Sequence, residues 1–251
     1  MVAASRKNED AYGQMLLAQL ATDEKLCEII EREDYYVDTG SAPGYYFSEY
    51  KDWATAEKRT IKLARGRVLD IGCGAGRHSV YLQGNGLDVT GIDASPGAVK
   101  VSKARGLKKA IVRPIEQISK FKPNSFDTVL MMGNNFGLFG TPEKAKPLLK
   151  DLARITSENA RIIAGARNPY GTTKPVHLGY HRFNKQRGRL PGQLTIRVRF
   201  GRAIGRWFNY LLVSPEEIEN ILEGTVWEIE KLFGDTNDGY FALIRKRASA
   251  R

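Results

Sequence analysis

An apolar run, Val68-Leu69-Asp70-Ile71, leads straight into three glycines at alternate positions, Gly72, Gly74 and Gly76. Glycines so spaced remove Cβ atoms where a strand turns sharply into a helix. The helix that follows aims unpaired N–H groups at an anion. Asp93 lies 17 residues past Gly76, at the end of a second run, Leu87-Asp88-Val89-Thr90-Gly91-Ile92. A carboxylate in that position can accept both hydroxyls of a ribose. The two features together imply a nucleotide-type cofactor.

Two other groups of residues have the chemistry to act on a substrate. Met132-Gly133-Asn134-Asn135-Phe136-Gly137 ends an apolar run with small and amide side chains. Pro175-Val176-His177-Leu178-Gly179-Tyr180-His181 carries two histidines and a phenol, candidates for a general base. Histidines at i, i+4 also suggest a metal pair, but Gly179 opposes a helix and no acid or cysteine lies nearby, so no metal is expected. A structural role for these histidines is the competing reading. His78, one turn into the first core helix, is read as a packing or capping side chain.

The formal charge is +11, from 39 Lys and Arg against 28 Asp and Glu. Residues 159–215 hold no acid and eleven positive charges: Arg161, Arg167, Lys174, Arg182, Lys185, Arg187, Arg189, Arg197, Arg199, Arg202 and Arg206. Such a field gathers an anionic acceptor, either a small metabolite or an RNA backbone. The alternative is a solvated basic surface countered by acidic helices elsewhere in the fold.

The elements needed to position these residues follow from periodicity. Tyr12 to Arg32 has helical spacing, with Leu16, Leu17, Leu20, Leu26, Ile29 and Ile30 on one face, and is expected to be a lid or packing helix. Asp38 to Trp53, rich in Tyr, Gly and Trp, reads as an irregular segment that closes over a ligand. Strands at 67–71, 87–92, 109–113, 127–132 and 160–165 alternate with helices at 75–83, 96–105 and 142–156, a βαβ rhythm that implies a parallel sheet covered on both faces. Ser95-Pro96 marks a helix start. Residues 193–200 and 206–213 read as two further strands bracketed by Gly201 and Gly205. Ser214 and Glu217 form a capping box for a helix to about Glu223, and strands at 226–233 and 240–245 close the chain. The Lys246 to Arg251 tail is expected to be disordered.

The pattern D-x-G-x-G-x-G at Asp70 to Gly76 differs from the G-x-G-x-x-G of dinucleotide sites, since Arg77 stands at the decisive position. It closely resembles the first motif of the class I S-adenosylmethionine-dependent methyltransferases, and Gly91-Ile92-Asp93-Ala94-Ser95-Pro96 and Asn124-Ser125-Phe126-Asp127 resemble its continuation. The resemblance covers about residues 45–165. It implies a doubly wound, mostly parallel seven-stranded sheet with a C-terminal antiparallel hairpin, an N-terminal helical lid (1–60), a cofactor core (61–166), a basic acceptor-side insertion with an antiparallel hairpin after the fifth core strand (167–213), and a closing helix and hairpin (214–245), all in one domain.

For the site, the resemblance implies that S-adenosylmethionine is held by Asp70, Gly72, Gly74 and Gly76 at its methionine end, by Asp93 at the ribose and by Ala94 beside the adenine. Ile115 and Glu116 follow the third strand, although Arg113 and Pro114 occupy the place where the family usually supplies an adenine-binding acid. Met132 and Asn135 would lie under the sulfonium, and Tyr46 would close against it. Asn134, Tyr180 and His181 are the candidate catalytic residues and are expected to converge on the transferable methyl. Methyl transfer to an O or N atom of a small, anionic acceptor is the favoured function and RNA methylation the alternative. A cofactor-binding subunit without catalysis is a third class, opposed by the intact glycine turn. Only two cysteines, Cys27 and Cys73, no apolar run of about 18 residues and no apolar leader near Arg6 and Lys7 point to the cytoplasm.

Overall fold

The computed structural model describes residues 9–41 and 43–247. The expected N-terminal helix ends early. Helix α1 spans Ala11–Leu20, and Glu28–Arg32 forms strand β1, which turns back into β2 (Val37–Ser41). The polar stretch after Leu20 stops the helix, because the Gln19 amide donates to the carbonyls of Thr22 and Glu24. The adjacent β-branched Ile29 and Ile30 then favour an extended chain. Residues Pro43–Phe47 and Tyr50–Asp52 form single 3-10 turns, so the aromatic segment is locally ordered.

The chain then builds α2 (Thr55–Ile61), β3 (Arg67–Ile71), α3 (Arg77–Gly84), β4 (Asp88–Asp93), α4 (Pro96–Ala104), β5 (Lys109–Val112), β6 (Phe126–Met131), α5 (Pro142–Ile155) and β7 (Thr156–Arg167). After α6 (Pro175–Gln186) come β8 (Gln193–Phe200), β9 (Ala203–Ile204), β10 (Phe208–Leu211), α7 (Pro215–Leu222), β11 (Trp227–Gly234) and β12 (Gly239–Lys246). The main sheet has seven strands in the order β11-β12-β7-β6-β3-β4-β5. Strands β3 to β7 are mutually parallel, while β12 runs antiparallel to both β7 and β11.

Both faces of this sheet are covered. Leu69, Ile71, Met131 and Ile162 pack on one side against Leu148, Leu149 and Leu152 of α5 and Ile218 of α7. Val68, Leu130 and Ile163 pack on the other against Ile61, Leu82 and Val99. Near-continuous apolar strands are what two covered faces require. The strand order reverses between β3 and β6, and the crevice beyond their carboxyl ends is where an open sheet of this kind binds ligands.

The basic insertion does not make an isolated hairpin. Strand β8 pairs antiparallel with β10, β9 and also β1, so N-terminal and insertion strands form one second sheet, ordered β10-β8-β1-β2 with β9 on β8. The expected strand at 206–213 narrows to β10. Helix α6 runs through Gly179 without a break, which corrects the reading of that glycine as a helix breaker. Of the tail expected to be disordered, Lys246 is the last residue of β12 and its Nζ donates to the carbonyls of Ala153 and Thr156; residues 248–251 lie outside the described residues, as do Arg6 and Lys7.

Candidate active site

The glycine turn after β3 is stitched onto the end of β4. Gly72 and Cys73 donate their N–H groups to the Ile92 carbonyl at 2.8 and 3.0 Å. Gly72, Gly74 and Gly76 have φ of +71°, +53° and +79°, the left-handed region that other residues enter at a cost. The Asp93 carboxylate accepts from Gly74 N–H and Ser95 N–H, both at 2.9 Å. Burial pushes its carboxyl from the usual 3.8 up to about 6, against the lowering effect of those hydrogen bonds. Burial likewise pushes Asp70 up to about 6; its carboxylate accepts from the Ser79 hydroxyl at 2.6 Å and thereby ties β3 to α3.

Around this turn the other expected cofactor residues take distinct places. Ala94 is exposed beside Asp93, Ile115 is buried, and Glu116 is exposed on the 3-10 turn after β5. Asn135 donates its amide to the carbonyls of Ile71 and Gly72 at 3.0 and 2.9 Å and so braces the turn itself. Met132 is buried in the sheet core with Leu130 and Ile163. The half-buried Asn134 accepts at its backbone carbonyl from the Tyr210 hydroxyl at 2.8 Å, while its side-chain Oδ1 is buried and has no partner among the described residues.

Above the turn sits a cluster of phenols and one carboxylate. The Tyr12 hydroxyl of α1 stands 2.7 Å from where a Cβ on Gly74 would be. The Tyr12 ring meets Tyr46 edge-on, with centroids 5.5 Å apart. The Tyr46 hydroxyl donates to the Glu28 carboxylate, 3.2 and 3.1 Å from its two oxygens. Burial first, and neighbouring acids second, raise the phenols of Tyr12 and Tyr46 well above the usual range. Burial also raises the Glu28 carboxyl, partly offset by the Tyr46 hydrogen bond. Arg105 holds Tyr46 in place by donating to the carbonyls of Ala75, Tyr46 and Phe47 at 2.8, 3.3 and 3.2 Å, which fastens the 43–47 turn to the glycine loop.

Tyr180 and His181 do not join this cluster. Tyr180 is buried, and its hydroxyl donates to Glu33 at 2.9 Å and is held by the backbone of β8, so it fixes α6 against the second sheet. His181 contacts the Tyr170 ring, at a centroid distance of 6.2 Å, and burial first, then His177, Arg32 and Lys185, push its imidazole below the usual range. His177 bonds to Arg32 across the same face. Among the described residues no hydrogen bond or ring contact joins Tyr180 or His181 to Asn134 or Asn135. Among the described residues no cluster of His, Cys, Asp and Glu holds metal-binding geometry.

Sequence reasoning passed over Glu28, Tyr12 and Tyr210, which the second sheet and α1 bring to the crevice. It also passed over a buried ion pair. Arg77 and His78, the first residues of α3, both bond to the buried Glu57 of α2, and Arg77 lies 4.1 Å under the Tyr45 ring. Burial holds His78 down to about 4 despite the Glu57 bond, so it is neutral.

The basic excess is largely countered, and by strand and loop acids rather than helices. Arg197 meets Glu31 through two bonds of 2.8 and 3.0 Å and lies over the Trp207 ring. Arg199 reaches Glu31, Arg187 and Arg189 reach Glu33, Arg206 reaches Glu9 and Arg167 reaches Asp238. Six of the eleven positive charges thus have carboxylate partners.

With the geometry in view, comparisons with known proteins agree. Residues 69–164 match the family described as a methyltransferase domain. A ubiquinone biosynthesis O-methyltransferase of Xanthomonas euvesicatoria pv. vesicatoria is 39% identical over 77 residues, 29% of this chain and 32% of that protein. A counterpart from Xylella fastidiosa is 35% identical over 79 residues, 30% of this chain and 32% of that protein. The chain thus spans about a third of the length of the curated relatives it matches. Among solved structures, a SAM-dependent methyltransferase from Bacteroides fragilis in complex with S-adenosyl-L-homocysteine superposes with a TM-score of 0.80 at 21% identity, covering 97% of each chain. One from Methanosarcina mazei gives a TM-score of 0.59 at 18% identity, covering 78% of this chain and 98% of that one. The glycine turn, its Asp93 clamp and the sheet order thus lie within a segment that matches a methyltransferase domain, in a chain whose fold is similar to that of S-adenosylmethionine-dependent methyltransferases.

Proposed function

We propose that the protein transfers a methyl group from S-adenosylmethionine to a small-molecule acceptor that enters beneath the second sheet. The observation that carries this reading is the buried Asp93 carboxylate clamped between Gly74 and Ser95 at the switch point of the sheet. Asp93 would take the ribose hydroxyls, Ala94 and Ile115 would flank the adenine with Glu116 at the rim, and the glycine turn with Asp70 behind it would hold the methionine end. Tyr12 and Tyr46 close the site from above.

The cofactor supplies an activated methyl on a sulfonium, and displacement discharges that cation. The chain's contribution is therefore alignment and exclusion of water. The edge-on rings of Tyr12 and Tyr46 exclude water, and Asn135 fixes the turn that sets the line of approach. The acid pairing of the arginines in the insertion supports a small molecule over RNA. RNA would need those charges free for phosphates.

The test is calorimetry with S-adenosylhomocysteine and a nicotinamide dinucleotide. Binding of the first alone is expected; binding of the dinucleotide alone would refute the reading.

A further inference from the structure

We propose that Tyr210 of β10 is a positioning residue for the cofactor: acting through Asn134 and Asn135, it ties the second sheet to the glycine turn and so sets how tightly that turn holds S-adenosylmethionine. This rests on the methyl-transfer reading above and adds a control over the same site.

The tie runs through named atoms. Strand β10 lies against the 3-10 turn Asn135–Phe139, which follows β6. The Tyr210 hydroxyl donates to the Asn134 carbonyl at 2.8 Å. That carbonyl and the Asn135 nitrogen belong to one peptide plane, so holding the first constrains the second. The Asn135 amide then donates to the carbonyls of Ile71 and Gly72 at 3.0 and 2.9 Å, the end of β3 and the first glycine of the turn. Hydrogen bonds on either side of one rigid peptide thus join β10 to the turn.

Two glycines leave room for these side chains. A Cβ on Gly137 would stand 2.8 Å from Cε1 and Cζ of the Tyr210 ring and 2.9 Å from the Leu211 carbonyl oxygen. Gly137 lies outside the left-handed region that Gly133 and Gly140 occupy, so its missing Cβ serves the close approach of β10 rather than a backbone turn. A Cβ on Gly72 would stand 2.7 Å from Asn135 Nδ2. The first glycine of the cofactor turn therefore seats Asn135 as well as letting the chain reverse. The small and amide side chains from Gly133 to Gly137 form a clasp on that turn.

A neighbouring bond in the same sheet lacks this reach. The Thr195 hydroxyl of β8 donates to Asn209 Oδ1 of β10 at 3.3 Å, one residue before Tyr210, and leads only from strand to strand. Its loss loosens the same pair of strands and leaves the tie intact. Methyl displacement is governed by alignment. The tie keeps the turn in register with the sheet beneath which the acceptor enters.

The experiment uses the full chain, calorimetry with S-adenosylhomocysteine, and hydrogen exchange read on peptides covering residues 69–76. Tyr210→Phe removes the hydroxyl and keeps the ring; it should weaken binding by about three- to tenfold and speed exchange in that segment. Asn135→Ala, which loses both bonds to the turn, should weaken binding by about ten- to a hundredfold. Once Asn135 is Ala the tie is already cut, so adding Tyr210→Phe should cost no more than about a further twofold. Thr195→Val should change affinity by less than about twofold. If Asn135→Ala does not fold, exchange in Tyr210→Phe and its contrast with Thr195→Val decide the matter. Additive losses in the double variant, unchanged exchange at 69–76 in Tyr210→Phe, or an equal loss of affinity in Thr195→Val would each overturn the proposal. Failure of wild-type protein to bind S-adenosylhomocysteine would overturn it together with the methyl-transfer reading, whereas binding without coupling would overturn this proposal alone.

Discussion

Asp93→Asn is expected to change how cofactor binding depends on pH. The carboxyl stands at about 6 against a usual 3.8, which disfavours its charged form in the free protein by about 3 kcal/mol. Since folding raises this pKa, the stabilising linkage from Asp93 is complete below 3.8 and is lost as pH rises through about 6. Accepting from both ribose hydroxyls favours the charged form, because a protonated carboxyl spends one oxygen as a donor. Binding of S-adenosylhomocysteine should therefore expel a proton below about pH 6, and affinity should fall by up to about tenfold per pH unit there while staying level above it. The amide of Asn keeps one acceptor and no charge, so the variant should lose about 1–3 kcal/mol at neutral pH and with it the pH dependence. Asp70→Asn tests the other buried acid of the site. Asp70 also stands at about 6, but it bonds to Ser79 and faces α3. Calorimetry in two buffers of different ionisation enthalpy counts the protons. Equal wild-type affinity at about pH 5 and pH 7.5, with heats independent of buffer, would refute the reasoning.

Three further outcomes follow from other parts of the fold. Burial holds His78 down to about 4 against an ordinary 6.5, so its share of stability is complete above 6.5 and lost as pH falls towards 4; thermal unfolding over that window should show a shallower pH slope in His78→Gln than in wild type. Ser214→Ala removes the N-cap of α7, where the hydroxyl accepts from Glu217 N–H at 3.2 Å, and should cost about 1 kcal/mol in urea denaturation without altering S-adenosylhomocysteine affinity. Replacing Arg197, Arg199 and Arg202 together should leave the salt dependence of RNA retention on filters shallow and unchanged, while lowering thermal stability through loss of the Glu31 pairs; a steep wild-type slope, flattened by about one unit per lost contact, would favour RNA as the acceptor.

The core was legible because its signals are local. Alternate glycines after an apolar run, Ser95-Pro96 and the Ser214–Glu217 box each specify structure within a few residues, and the fold carries all of them. The acceptor side was not, because its signals are long-range. Residues 28–32 match a helical stripe by spacing alone, and only pairing with β8 makes them a strand. The turn that returns β1 to β2 uses Tyr35 at φ +68° in place of the glycine that would have announced it. His181 and Tyr180 lay at a sensible distance along the chain, but an unbroken α6 swings them onto the second sheet. Glu28 carries no motif; its burial becomes visible only when α1, β1 and β10 are packed together.

The pairing of β1 with β8 also orders events during synthesis. Glu31 leaves the ribosome 166 residues ahead of Arg197, the residue opposite it. At about 5–20 residues per second the interval is roughly 8 to 33 s. The nucleotide-binding core from β3 to β7 is already made by then, while β1 has only the β2 hairpin as a partner. Closing so long a loop adds an entropic cost that the core strands, joined by short crossovers, do not carry. The second sheet can thus be completed only after the glycine turn and its Asp93 clamp are made, and β11 and β12, which finish the main sheet, leave the ribosome later still.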